Sequence, residues 1–187
     1  LNDVAQVIIG ENEIHVKINN LTHTSQQLPR LTPAALGECG GGNDMTCGSK
    51  CALAEIKLTL NEVKALISKF NALTLSSIER SLAVHSAALF NGEWLISHDV
   101  SRHSLALKIV GKAIRRGLRG GVFLTTGRAS FDIVFSAFVI GAPIIISLKG
   151  PLYSGVTAAC GLGITLISIV KGRGVTIMCN EQRIISS

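Results

Sequence analysis

Apolar and polar positions fall into short runs along this chain, and the period of those runs changes from two residues to more than three. Val4 to Ile9 and Glu13 to Ile18 carry β-branched residues at strand spacing, and Gly10-Glu11-Asn12 between them predicts a hairpin. Asn19 to Asn43 loses any regular period and holds Pro29, Pro33 and Gly40-Gly41-Gly42, which predicts loop. At Thr59-Leu60-Asn61-Glu62 an oxygen-bearing cap precedes Val63, Leu66, Ile67 and Phe70 at helical spacing. Leu82 to Phe90 and Glu93 to Ser97 read as strands around Asn91-Gly92, a pair that accepts the backbone of a tight hairpin turn.

From Arg102 to Gly117 the apolar positions Leu105, Leu107, Ile109, Val110, Ala113 and Ile114 suit a helix that Gly117 stops. Strand Val122–Thr125, helix Ser130–Ile140, strand Ile144–Leu148, helix Tyr153–Leu162 and strand Ile164–Val170 follow, with Val175–Cys179 as a further strand. Strands alternating with helices of about ten residues predict one α/β domain over residues 1–187. Its expected form is three-layered, α/β/α, with a mixed, mostly parallel sheet. The chain starts at Leu1 in what reads as folded sequence, so a further N-terminal segment is expected to precede it.

Gly150 to Val170 is an uncharged stretch of 21 residues, long enough to span a bilayer. Pro151, Gly155 and the turn signal Gly161-Leu162-Gly163 divide it into a small-residue half and a β-branched half. A buried helix and strand are therefore expected, with no membrane span. Nor does a basic stretch precede an apolar one in the manner of a secretory leader, and a cytoplasmic protein is expected.

Composition narrows the class. Hydrophobic residues make up 47% and charged residues 16% of 187, with mean hydropathy +0.43, which excludes a disordered chain and suits strands covered on both faces. One Trp and one Tyr give no stacking platform for single-stranded nucleic acid, so no nucleic-acid partner is expected. A formal net charge of +6 favours an anionic partner without saying which.

Three cysteines, Cys39, Cys47 and Cys51, lie in or beside a Gly-rich segment over 37–52 that reads as a mobile loop. Lys50 precedes Cys51, where a cation lowers a thiol's pKa, and two thiols close in sequence allow one to receive sulfur or oxidant and the other to resolve it. A zinc site is a poorer match to the spacing, and a structural pair is the third reading. Cys160 and Cys179 lie in apolar segments and read as small core residues.

Two later blocks place cations and small donors where a strand hands over to a helix, the usual position of anionic ligands in α/β proteins. In Asp99-Val100-Ser101-Arg102-His103 the carboxylate is a cap candidate, whereas Arg102 and His103 oppose the helix dipole unless an anion or a carboxylate faces them. Lys108, a turn later, reads as a solvated charge or part of the same cluster. In Thr126-Gly127-Arg128-Ala129-Ser130 the glycine permits close approach, the hydroxyls and Arg128 supply donors, and Ser130 doubles as a helix cap. His85 stands mid-strand in Ala83-Val84-His85-Ser86-Ala87-Ala88, and serves there either as a hydrogen-bonded core residue or as a functional one. It lacks the following Glu and the Pro-Cys-x-x-Cys of a zinc deaminase.

Taken together these blocks resemble the formate dehydrogenase accessory sulfurtransferase family, the FdhD type. The resemblance rests on Thr46-Cys47-Gly48, His85-Ser86-Ala87-Ala88-Leu89, Asp99-Val100-Ser101-Arg102-His103-Ser104 with Lys108, Thr125-Thr126-Gly127-Arg128-Ala129-Ser130, and Gly141-Ala142-Pro143 leading to Ser147. The family spaces its cysteines by two residues, and here three separate Cys47 from Cys51. The resemblance implies a cytidine-deaminase-like α/β/α fold without the zinc site. It further implies a persulfide relay through Cys47 and Cys51, from a cysteine desulfurase to a molybdenum (or tungsten) pterin guanine dinucleotide cofactor. That ligand would be held by His85, Asp99, Arg102, His103, Lys108, Thr126, Gly127, Arg128, Ser130 and Ser147. The implied client is an apo-formate dehydrogenase or related molybdoenzyme, and the implied assembly a homodimer. A non-catalytic chaperone that only binds and delivers the cofactor is the alternative.

Overall fold

The computed structural model describes residues 4–10, 14–19, 53–77, 84–170 and 174–185. Two compact units divide the chain, Leu1–Gly42 and Asn43–Ser187. The first contains the expected hairpin, β1 (Val4–Ile9) and β2 (Ile14–Ile18), paired antiparallel. Val7 faces Val16 and Ile9 faces Ile14 across one face of the ladder, and all four are exposed within this unit. The predicted loop from residue 20 onward, Cys39, Cys47, Cys51 and the segment 37–52 lie outside the described residues.

The second unit begins with β3 (Leu58–Thr59) and α1 (Leu60–Ser77). The helix starts where the sequence placed it, because Thr59 and Glu62 satisfy each other. The Thr59 N–H donates to Glu62 Oε2 at 2.7 Å, and the Glu62 N–H donates to Thr59 Oγ1 at 3.2 Å. Then follow β4 (His85–Asn91), β5 (Glu93–Asp99), α2 (Arg102–Arg115), β6 (Val122–Thr125), α3 (Phe131–Val139), β7 (Ile144–Ser147), α4 (Tyr153–Gly161), β8 (Thr165–Val170) and β9 (Gly174–Cys179). A one-turn 3-10 helix, Glu181–Arg183, leads into β10 (Ile184–Ile185), which pairs with β3 in parallel. Gly92 takes φ +76°, as the two-residue turn between β4 and β5 requires.

Six strands form one sheet in the order β5-β4-β6-β7-β8-β9. The sheet is mixed, and its parallel character needs a correction in detail. Only β6–β7 and β7–β8 pair in parallel, while β5–β4, β4–β6 and β8–β9 pair antiparallel. By direction, β5, β6, β7 and β8 still run one way and β4 and β9 the other. Local periodicity could not show this, because the sign of the β4–β6 pairing is set by how α2 crosses the sheet.

Two cores make the three layers. On one face α2, α3 and α4 bury Leu105, Ile109, Ile133, Val134 and Ala159 against Leu89, Phe123, Ile145 and Leu166. On the other, Val63 and Phe70 of α1, with Leu58 and Ile184 of the small sheet, cover Ala88, Leu124, Ile144, Ile146 and Ile167. Every residue of β6 and β7 is buried, which accounts for their unbroken apolar runs. The uncharged stretch 150–170 divides into α4 and β8 as expected, with Gly163 at φ +71° between them. Among the described residues no helix is long and apolar enough to cross a membrane. Cys179 is half-buried, but Cys160 is exposed, against the expectation of a core residue. It falls on the last turn of α4, where an apolar run no longer implies burial.

Candidate functional site

Because β5, β6 and β7 run the same way, Asp99, Thr125 and Ser147 finish at one end of the sheet. The oppositely directed β4 begins there, and His85 is its first residue, paired with Asp99. His85 is thus a half-buried rim residue, not the mid-strand residue the sequence suggested. The topology gathers both predicted ligand blocks along one rim, the position at which α/β sheets hold ligands.

Asp99 does not cap α2. Ser101 is the N-cap, and its Oγ accepts from the Ser104 N–H at 3.4 Å. Asp99 acts one step earlier, its Oδ1 accepting from the Ser101 N–H at 2.8 Å and its Oδ2 pairing with Lys108 Nζ at 2.5 Å. The Lys108 ammonium, followed by the Ser101 amide, holds the Asp99 carboxyl below the usual carboxylate range. Lys108 also donates to the His98 carbonyl at 3.4 Å, so this exposed charge braces the turn as well as being solvated.

The carboxylate that faces His103 comes from another element. His103 Nε2 lies 3.4 Å from Asp132 Oδ2, in the first turn of α3. This is an ion-pair distance without hydrogen-bond alignment, since the same nitrogen is buried and makes no hydrogen bond among the described residues. Asp132 suits the N-terminal end of α3 and offsets the cationic start of α2 at the same time.

The second block is fixed by its neighbours on both sides. The Ser86 N–H donates to Thr126 Oγ1 at 2.9 Å, and the Thr126 N–H returns a bond to the Ser86 carbonyl at 2.9 Å. The Gly127 N–H donates to Thr125 Oγ1 at 3.0 Å, and buried Ser147 donates from Oγ to the Gly127 carbonyl at 2.9 Å. Ser147 is therefore a frame residue of the turn. A Cβ on Gly127 would lie 3.2 Å from Arg102 Cβ, so the glycine lets the Arg102 stem lie across the turn and joins the two blocks. Arg128 is exposed at the rim. Ser130 occupies the N-cap position of α3, yet its Oγ makes no capping bond and is buried without a partner among the described residues. A buried hydroxyl left in that state carries an energetic cost that a ligand could remove.

His85 registers the charge of this rim. Burial, then the nearby Lys149 and Arg102, push its pKa below the usual 6.5 and favour the neutral ring. Lys149 is exposed just past β7, and its carbonyl accepts from Ser168 Oγ at 3.2 Å and shares the one Ser147 Oγ proton, at 2.7 Å, with the Gly127 carbonyl. Neither Lys149 nor Asp132 stood out in the sequence. A lone cation between an apolar run and Gly150-Pro151 was the available signal for the first. Arg102, Arg128 and Lys149, with the hydroxyl of Ser130 and the ring of His85, form a donor set suited to an anionic, phosphate-bearing ligand.

A family model described as FdhD/NarQ matches residues 1–185. The chain belongs to the FdhD/NarQ family. It is 35% identical over 112 residues to a protein named sulfur carrier protein FdhD from Streptomyces avermitilis, a match covering 57% of this chain and 40% of that one. Another of that name, from Sulfolobus acidocaldarius, is 28% identical over 193 residues, covering 98% of this chain and 74% of that protein. The chain thus spans well under half the length of several relatives it matches and about three quarters of the Sulfolobus one. In fold it is similar to a protein of Desulfotalea psychrophila described as a formate dehydrogenase accessory protein. The TM-score is 0.68 at 23% identity, over 98% of this chain and 71% of that one.

Proposed function

We propose that this chain is a sulfur carrier of the formate-dehydrogenase accessory type, which binds a molybdenum (or tungsten) pterin guanine dinucleotide as its substrate and delivers sulfur to it. One observation carries the reading. Two cationic strand-to-helix turns, a cation at the end of β7 and a half-buried neutral histidine meet along a single rim of the sheet, beside a buried hydroxyl without a partner among the described residues. Family membership and the names borne by relatives support the sulfur chemistry.

In this reading Arg102, Arg128 and Lys149 hold the diphosphate of the nucleotide half, and Thr126 and Ser130 donate to it. Asp99, Lys108, His103, Asp132 and Ser147 hold those groups in place, and His85 lines the same rim. The sulfur arrives from a cysteine desulfurase. The Cys47 thiolate attacks the outer sulfur of the donor persulfide, the donor's S–S bond breaks, and the donor leaves as a thiolate while Cys47 becomes the persulfide. Cys51 assists or resolves. The cytoplasm, an apo-formate dehydrogenase or related molybdoenzyme as client, and a homodimer complete the proposal.

The test is to incubate the full chain with an active cysteine desulfurase and free cysteine, trap the thiols and map added sulfur by peptide mass spectrometry. Added sulfur on Cys47 or Cys51 is expected, lost from Cys47 in Cys47→Ala. Unmodified loop cysteines beside an active desulfurase would leave a binding chaperone in place of the carrier.

A further inference from the structure

Cys160 and Cys179 are far apart in sequence and belong to neither cationic turn, yet the fold brings the segments that carry them together. Cys160 is on the last turn of α4 and Cys179 is the last residue of β9. The residues beside them are tied in the same place. The Asn180 side chain, immediately after Cys179, donates to the carbonyl of Ala159, immediately before Cys160, at 3.0 Å, and to that of Ile164 at 2.9 Å. Ile164 closes the knot by donating its N–H to the Ala159 carbonyl at 2.9 Å. Within it the Cys179 thiol donates to the Ile164 carbonyl at 3.7 Å, with the Cys160 thiol near enough to act on its pKa. Both cysteines are reduced, Cys160 exposed and Cys179 half-buried.

We propose that Cys160 and Cys179 form a redox-active dithiol, a modification site separate from the loop thiols, that closes to a disulfide by exchange with a low-molecular-weight disulfide. The two cysteines differ in the way such exchange requires. Burial, then the neighbouring Cys160 thiol, push the Cys179 thiol up to about 11, which makes it the poorer first nucleophile. Exposed Cys160 reacts first. Its thiolate attacks one sulfur of the small disulfide, that S–S bond breaks, and one small thiolate leaves, giving a mixed disulfide on Cys160. Cys179 loses its proton to solvent and attacks the Cys160 sulfur, and the second small thiolate leaves. The protein gives up two electrons and two protons, and the small disulfide becomes two thiols.

The closed bond would join the end of α4 to the end of β9. The other end of α4 lies against the Thr126–Ser130 turn, where the Leu152 N–H donates to the Ala129 carbonyl at 2.9 Å. The dithiol is thus placed on the helix that supports the ligand rim from behind.

The experiment uses the full chain, reduced, diluted and incubated with glutathione disulfide. It is then alkylated and digested with trypsin without reduction. Cys160 and Cys179 fall on separate peptides, Gly150–Lys171 and Gly174–Arg183, so a closed bond appears as a linked pair and is distinguished from any bond among Cys39, Cys47 and Cys51. The linked pair is expected in the unaltered chain. In Cys179→Ser a glutathione adduct accumulates on Cys160, and in Cys160→Ser the Cys179 thiol stays reduced over the same interval. An unaltered chain that stops at the Cys160 adduct, leaves both thiols free, or joins either one to a loop cysteine or a second molecule overturns the proposal. The deciding measurement is on the unaltered chain, so it does not depend on the variants folding.

Discussion

A methyl group added to Gly155 would lie 2.3 Å from the Ala129 carbonyl oxygen and 2.8 Å from its carbon, because α4 packs directly on the backbone of the Thr126–Ser130 turn. Helix propensity favours alanine by about 1 kcal/mol, but forcing a methyl into backbone costs about 3 kcal/mol, so Gly155→Ala is expected to lose about 2 kcal/mol net. Gly111, exposed on α2 with nothing among the described residues within 4 Å of its Cβ position, supplies the control, and Gly111→Ala is expected to gain about 0.5–1 kcal/mol. Urea unfolding midpoints check both, and equal midpoints would contradict the packing argument. Titration at the rim gives a second residue-level expectation. Burial, then nearby cations, hold both His85 and His98 below the usual 6.5, Lys149 and Arg102 acting on the first and Lys112 on the second. Each ring is protonated in the unfolded chain before it is protonated in the folded one. Stability is therefore full above about pH 6.5 and falls as the pH drops through the lowered folded values. The unfolding midpoint should decline between pH 7.5 and 5, and less in a His85→Gln, His98→Gln variant. A decline of the same size in that variant would assign it to other groups.

At the scale of elements, α1 tests whether the two faces of the sheet are independent. Thr59→Ala removes the hydroxyl that accepts from the Glu62 N–H and should cost about 1 kcal/mol of stability. The helix lies on the face away from α2, α3 and α4, so nucleotide affinity measured by calorimetry should stay unchanged, and a fall in affinity larger than in stability would refute that separation. This capping box was legible in the sequence because its donors and acceptors are three residues apart. So were the Asn91-Gly92 turn and the strand–helix alternation after Val122, where period and punctuation are local properties. The two cationic strand-to-helix turns were legible for the same reason. What escaped was set by distance. The Asp132 partner of His103 belongs to the next helix, and Lys149 joins the rim only because β7 pairs beside β6. Cys160 sits in an apolar run whose last turn faces solvent, and its neighbour Cys179 is brought to it by β9. A one-dimensional pattern reports how a segment is buried on average, but not which segments it meets.

For the molecule as a whole, a formal net charge of +6 and a rim of three cations place an electrostatic condition on the proposed ligand. Arg128 and Lys149 are exposed, so their attraction to a diphosphate is screened by salt, whereas Arg102 is half-buried and screened less. Raising ionic strength from about 0.05 to 0.5 M shortens the screening length from roughly 14 Å to 4 Å, and the affinity for guanosine diphosphate should fall about tenfold. Arg128→Ala removes one charge-assisted contact, worth about 1.5–3 kcal/mol, and should weaken binding at low salt by roughly 10- to 100-fold while flattening the salt dependence. Guanosine, which offers the same base without the anion, should bind weakly at every salt concentration. These three titrations separate two ways of reading the rim. If guanosine and its diphosphate bound alike and neither responded to salt, base contacts would dominate and the cations would be ordinary surface charge. If only the diphosphate responds, and Arg128→Ala removes most of that response, the cations gathered at the ends of β5, β6 and β7 are what selects a phosphate-bearing ligand.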